Sequence, residues 1–116
     1  MDEILQLTLL YDFYGELLTD KQKLVYDMYY QNDFSLTEIG EELSISRQAV
    51  LDQLKRTEKI LLGYEEKLQL VERFLKQQKA VKKIKAIIEE VEKEYRLPEG
   101  CLAEIEKIKR IADEIV

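Results

Sequence analysis

Histidine is absent from this chain of 116 residues, and cysteine occurs once, at Cys101. The first absence excludes imidazole metal sites, Ser-His-Asp triads and histidine general bases. The second excludes an intramolecular disulfide and any metal site built on a cysteine cluster. Flanked by Gly100 and Leu102, the lone thiol reads as a small packing residue. A single thiol also predicts a reducing compartment, the cytoplasm. Glycine and proline are scarce, at four and one, which favours long helices over sheets and loop-rich folds. No apolar run approaches the length needed to span a bilayer, so membrane insertion is not expected. The segment from Met1 to Leu10 has acids at Asp2 and Glu3 and no basic start or cleavage site, so it does not read as a signal peptide. Carboxylates are numerous but form no paired constellation. The chain therefore reads as non-enzymatic, with no cofactor and no metal.

What is present is a soluble, globular composition, 46% hydrophobic and 36% charged, with a net charge of -6. The length suits one domain, or one domain plus an appendage. Charge is uneven. Residues 1–62 hold six bases against twelve acids, whereas 63–116 hold twelve of each. An acidic first half counts against tight non-specific DNA binding, which relies on many phosphate contacts.

The apolar pattern predicts an all-α fold. Leu7, Leu10, Tyr14 and Leu17, with Leu18 adjacent, mark a helix over 3–18. Thr19 with Gln22 forms a reciprocal cap for a second helix reaching Tyr30, with Leu24, Val25, Met28 and Tyr29 inward. Gln31, Asn32 and Asp33 break it. Ser35 with Glu38 caps a short third helix, whose apolar face is Leu36, Ile39 and Leu43. Ser46 caps a fourth, with Val50, Leu54, Thr57 and Leu61 inward. Phe34 with Ile39, and Ile45 with Val50, have the spacing of hydrophobic staples. Gly63 either ends the fourth helix or softens it. Beyond it, Leu70, Phe74, Gln77, Val81, Ile84, Ile88, Val91 and Tyr95 form a heptad seam. Pro98 and Gly100 end that helix, and Cys101, Ile105, Ile108, Ala112 and Ile115 line a last one. An antiparallel hairpin buries both stripes most simply, alone or completed by a second chain as a homodimer. The division expected is a helix-turn-helix domain over 1–62 and a helical tail over 63–116.

The stretch LTEIGEELSISRQAVLDQLK (36–55) meets the demands of a helix-turn-helix. Gly40 is small where the helices cross, and Ile39, Leu43, Ile45, Val50 and Leu54 fill the angle. Ser44 and Ile45 form the turn, and Ser46 starts the second helix. A corner used only for packing would account for much of this. The polar residues favour function. With Val50, Leu54 and Leu61 inward, Arg47, Gln48, Leu51, Asp52 and Lys55 fall on or beside the outward face. Arg47 occupies a first turn, where the helix dipole disfavours cations. A groove-reading helix wants it there, since Arg pairs bidentately with guanine and Gln48 can do so with adenine. Lys55 and Arg56 would take phosphates. Asp52 accepts from a cytosine amine or repels the backbone.

A second basic element runs from Arg73 through Lys76, Lys79, Lys82 and Lys83 to Lys85, with no acid between. It reads either as the solvated flank of a coiled coil or as a strip that tracks phosphates of RNA or DNA.

The segments YDFYGELLTDKQKLVYDMYY (11–30), SLTEIGEELSISRQAVLDQLKRTEKIL (35–61) and YEEKL (64–68) resemble the YlxM family of small bacterial helix-turn-helix proteins. The T-x-K-Q start and E-I-G turn also resemble region 4 of sigma factors, which reads promoter DNA. These resemblances imply a four-helix, sigma region 4-like domain with a variable helical tail. They also imply an association with the signal recognition particle pathway. Three functions follow as expectations. One is a DNA-binding regulator using Ser46, Arg47, Gln48, Leu51, Asp52, Lys55 and Arg56. Another is an accessory of the signal recognition particle, contacting its RNA or GTPase through the strip 73–85. The third is an oligomer held by the tail seam.

Overall fold

The computed structural model describes residues 3–115 and, among them, contains six α-helices and no strand. Met1 and Asp2, part of the segment read above against a signal peptide, lie outside the described residues. The helices are α1 (Glu3–Tyr14), α2 (Asp20–Tyr30), α3 (Leu36–Leu43), α4 (Arg47–Leu68), α5 (Leu70–Glu94) and α6 (Glu99–Ile115), with a 3₁₀ turn at Gly15–Leu17. The all-α expectation holds. No described helix is long and apolar enough to cross a membrane. The chain divides into two compact units between Val71 and Glu72, further along than 62/63, because α4 runs on through Gly63.

Local chemistry sets the helix starts. Thr19 accepts from the Gln22 N–H at 3.2 Å while Gln22 Oε1 accepts from the Thr19 N–H at 2.9 Å. Ser35 and Glu38 repeat the pair at 3.0 and 3.1 Å. Each box satisfies two otherwise orphaned donors. Ser46 caps α4 by accepting from the Ala49 N–H at 3.0 Å. Two ends depart from expectation. The α-helical part of the first helix stops at Tyr14 rather than 18, and the chain tightens into the 3₁₀ turn before Thr19. Helix α4 ends at Gln69, which adopts a left-handed φ of 55°.

The core of the first unit is Leu10, Tyr14, Leu18, Val25, Tyr26, Met28, Ile39, Val50, Leu54 and Leu61, with Thr57. Burying each large aliphatic side chain is worth roughly 1.5–3 kcal/mol. The inward stripe of α4 is the expected one, Val50, Leu54, Thr57 and Leu61. In α2, Tyr26 takes the core place expected for Leu24, which is exposed. Its ring stacks on Tyr11 at 4.6 Å and meets Tyr30 at 4.5 Å, an arrangement that turns Leu24 outward.

Tyrosine hydroxyls tie α4 to the other helices. Tyr30 donates to Glu58 at 2.6 Å, and Tyr14 donates to Glu65 Oε1 at 2.6 Å. The same Tyr14 oxygen accepts from the Leu70 N–H, and Glu65 Oε1 accepts from the Val71 N–H. The open donors at the start of α5 are thus capped from α1 and α4 rather than by a neighbouring side chain. Burial and the bond to Asp27 push the Tyr11 phenol up to about 12. Burial comes first in raising Tyr14, Tyr26 and Tyr30 as well, helped by Glu65 at Tyr14 and by Glu58 at the other two.

The unfolded chain therefore releases phenol protons before the folded one. Their stabilisation is complete below about pH 10 and is lost as pH climbs through the folded values. Urea midpoints are expected to fall above about pH 10, with a late-titrating fraction in the phenolate absorbance. A midpoint that stays level while the phenolates form would contradict this.

Gly63 does not end α4, and a Cβ there would meet nothing within 4 Å. Gly63→Ala should raise stability by about 1 kcal/mol through helix propensity alone. Denaturant midpoints measure this, and a loss of stability would mean that the glycine serves a purpose outside the helix.

In the second unit α5 and α6 form an antiparallel hairpin. Lys85 pairs with Asp113, and Lys109 with Glu92 at 2.7 Å. The seam is less enclosed than its pattern predicts. Among the described residues from 72 onward, Val81 and Ala112 are the fully buried apolar side chains, while Gln77, Ile84 and Tyr95 are exposed. One partner helix covers one side of α5, and α6 lies along the side that carries Val81, Lys85 and Glu92.

Candidate nucleic-acid interface

Helices α3 and α4 meet at Gly40. The Gly40 carbonyl accepts from the N–H groups of both Ser44 and Ile45, the second at 2.9 Å. Ser44 reverses the chain with a left-handed φ of 57°. A Cβ at Gly40 would stand 2.7 Å from the Ile45 carbonyl oxygen. Only glycine permits that approach, and the approach fixes the angle at which α4 leaves the turn. Beneath the turn Ile39 and Val50 are wholly buried and Leu54 nearly so.

That anchoring points the opposite face of α4 outward. Ser46, Arg47, Gln48, Asp52, Lys55 and Arg56 are exposed, and Leu51 is half-buried. Arg47 forms no ion pair among the described residues. Gln48 donates its amide to Asp52 Oδ1 at 3.1 Å, so Asp52 orients Gln48. The Ser46 hydroxyl is engaged by the Ala49 N–H as the cap, which leaves the Arg47 and Gln48 N–H groups at the positive end of the α4 dipole. The first turns of α2, α3, α5 and α6 each hold an acid, and that of α4 holds none.

Two features were not legible from spacing. Thr19, Lys21 and Gln22 at the start of α2 join Gln53, Arg56 and Thr57 of α4 around an open cavity of about 230 Å³. Two cations beside a helix N-terminus suit a phosphate oxygen. Gln53 and Arg56 share a face of α4, which hinted at half of it, but Lys21 is contributed by another helix. The second feature is acidic. Glu38, Glu41 and Glu42 of α3 flank Phe34 around a groove of about 380 Å³. These acids make that face of α3 unfavourable for a phosphate backbone.

On α5, Arg73, Lys76, Lys79, Lys82 and Lys83 are exposed. Lys76 pairs with Glu72 at 3.3 Å, and half-buried Lys85 pairs with Asp113. Arg73, Lys79, Lys82 and Lys83 form no ion pair among the described residues.

Comparison with known proteins agrees with this architecture. A family model described as "Putative helix-turn-helix protein, YlxM / p13 like" matches residues 1–112. A UPF0122 protein of Thermoanaerobacter sp. (strain X514) is 52% identical over 114 residues, 98% of this chain and 97% of the relative. One from Caldanaerobacter subterraneus subsp. tengcongensis is 58% identical over 87 residues, covering 75% and 74% of the two chains. Another, from Bacillus cereus (strain AH187), is 43% identical over 108 residues, covering 93% and 98%. With the helix-turn-helix assembled and near full-length matches to these relatives, the chain belongs to the UPF0122 family of helix-turn-helix proteins.

Proposed function

We propose that this protein is a non-enzymatic, cytoplasmic DNA-binding regulator that inserts the first turns of α4 into a major groove. The observation that carries the reading is the unpaired, exposed Arg47 at a helix start where the other capped helices place an acid. That choice forgoes a few tenths of a kcal/mol from the helix dipole and offers a guanidinium fork to guanine O6 and N7. Gln48, held by Asp52, is set to read a neighbouring base. Lys21 and Arg56 take one strand's phosphate, and Lys55 another. Leu51, half-buried, offers an apolar contact to a thymine methyl. The test is selection from a random duplex library at moderate salt. Recovery of a defined site supports the reading, and recovery of no preferred sequence overturns it.

The exposed row from Arg73 to Lys83 favours a second reading. An accessory of the signal recognition particle would lay this row along the phosphates of its RNA or against its GTPase, with the helix-turn-helix as scaffold. The net negative charge of the first unit suits such a partner better than bulk DNA. Reversing Lys79, Lys82 and Lys83 to glutamate would then abolish co-purification with the particle, and unchanged recovery removes this reading.

A further inference from the structure

The hairpin of α5 and α6 leaves one of its sides apolar and open. Helix α5 meets α6 through Val81, Lys85 and Glu92, and α6 answers with Lys109, Ala112 and Asp113. At 3.6 residues per turn, Ile84 and Val91 stand about a quarter turn to one side of that contact line on α5, and Ile87 stands further round in the same sense. Ile108 and Ile115 stand about a quarter turn away on α6, with Ile111 further round in the same sense. Because the helices are antiparallel, both quarter turns lead to the same side of the hairpin. Ile87 is 60% exposed there and Ile111 58%. A hairpin that fully buries little beyond Val81 and Ala112 gains little from its own packing, and helices in proteins take most of their stability from a packed apolar face.

The charges beside this face say what covers it. On the flank of α5 away from α6 lie Lys79 and Lys83, then Glu90 and Glu94, all exposed and forming no ion pair among the described residues. The sign reverses at Ala86 and Ile87. A surface that is basic before a point and acidic after it is complementary to itself turned end for end. We infer that a second copy of this chain docks face to face on the hairpin, α5 against α5 and α6 against α6, about a two-fold axis passing close to Ile87. That axis brings Lys83 of each copy beside Glu90 of the other, and Lys79 beside Glu94. The five isoleucines and the valine of each copy become the interior of a four-helix bundle. This pairing does not depend on what α4 binds.

The mass of the full-length chain by sedimentation over a dilution series tests it. A two-chain mass that falls towards one chain on dilution is expected, and one chain throughout overturns the inference. Lys79→Glu with Lys83→Glu should weaken association about tenfold or more by setting like charges opposite one another. Adding Glu90→Lys and Glu94→Lys should restore it. That recovery also separates pairing from phosphate contact, which the added lysines on a different part of α5 would not restore in the same register. Failure of the four-fold variant to recover overturns the antiparallel arrangement. Crosslinking gives a readout free of any folding defect. With Cys101→Ser in place, Ile87→Cys should form a disulfide between chains under mild oxidation, while Lys93→Cys, on the far side of α5, should not. Equal crosslinking at both positions, or none at Ile87→Cys, counts against the proposal.

Discussion

Arg47→Ala is expected to weaken binding to a selected duplex by about 1–3 kcal/mol, roughly 5- to 150-fold, and to relax preference at one base pair. The size follows from what is lost. Arg47 is exposed and pairs with no acid among the described residues, so no internal partner compensates in the free protein, and the bidentate contact with guanine disappears whole. Folding should hardly change, because removing a cation from the first turn of α4 slightly favours the helix. Lys55→Ala is the appropriate contrast. It removes a phosphate contact, so affinity should fall evenly across sequences and the salt dependence should shallow by about one ion. Equal losses on selected and scrambled duplexes for Arg47→Ala would assign that residue to the backbone and remove the basis for groove reading.

Gly40→Ala has the largest expected effect on stability. The new methyl carbon would meet the Ile45 carbonyl at 2.7 Å, and that oxygen belongs to the turn backbone, which cannot swing aside as a side chain can. Relief requires α3 and α4 to separate. Separation strains the bonds from Ser44 and Ile45 to the Gly40 carbonyl and loosens Ile39 against Val50. The cost should be about 1–3 kcal/mol, and a domain of this size loses about 4–8 °C of Tm per kcal/mol. Thermal unfolding followed by circular dichroism measures it. An unchanged Tm would mean that the helices cross with more room than the geometry allows.

The parts of the fold that were legible in the sequence are those decided by local chemistry. Thr19, Ser35 and Ser46 declare helix starts because a side-chain oxygen three residues before an orphan N–H satisfies it wherever the rest of the chain lies. The stripe from Val50 to Leu61 was legible because one side of α4 is buried and its period is unbroken. The end of α4 was not. Gln69 turns the chain in a left-handed conformation that glycine or asparagine would have signalled. The following helix is capped by Tyr14, 56 residues away from Leu70 in sequence. The heptad seam identified which residues of α5 are apolar, but not which side of the helix α6 takes. Hence the exposure of Ile84 and Tyr95 could not be foreseen. At the site, Arg47 and its neighbours were legible because helix geometry alone sets their direction once Val50 is inward. The cavity shared by Lys21 and Arg56 was not, since it exists only when α2 and α4 pack.

The most direct measurement is amide chemical-shift mapping of the protein titrated with a duplex recovered by selection. Perturbations should concentrate between Ser46 and Arg56, with a second group near Lys21, and leave α6 unmoved. Shifts confined to 73–85, with Arg47 and Gln48 undisturbed at saturation, would contradict the claim that α4 is the reading helix.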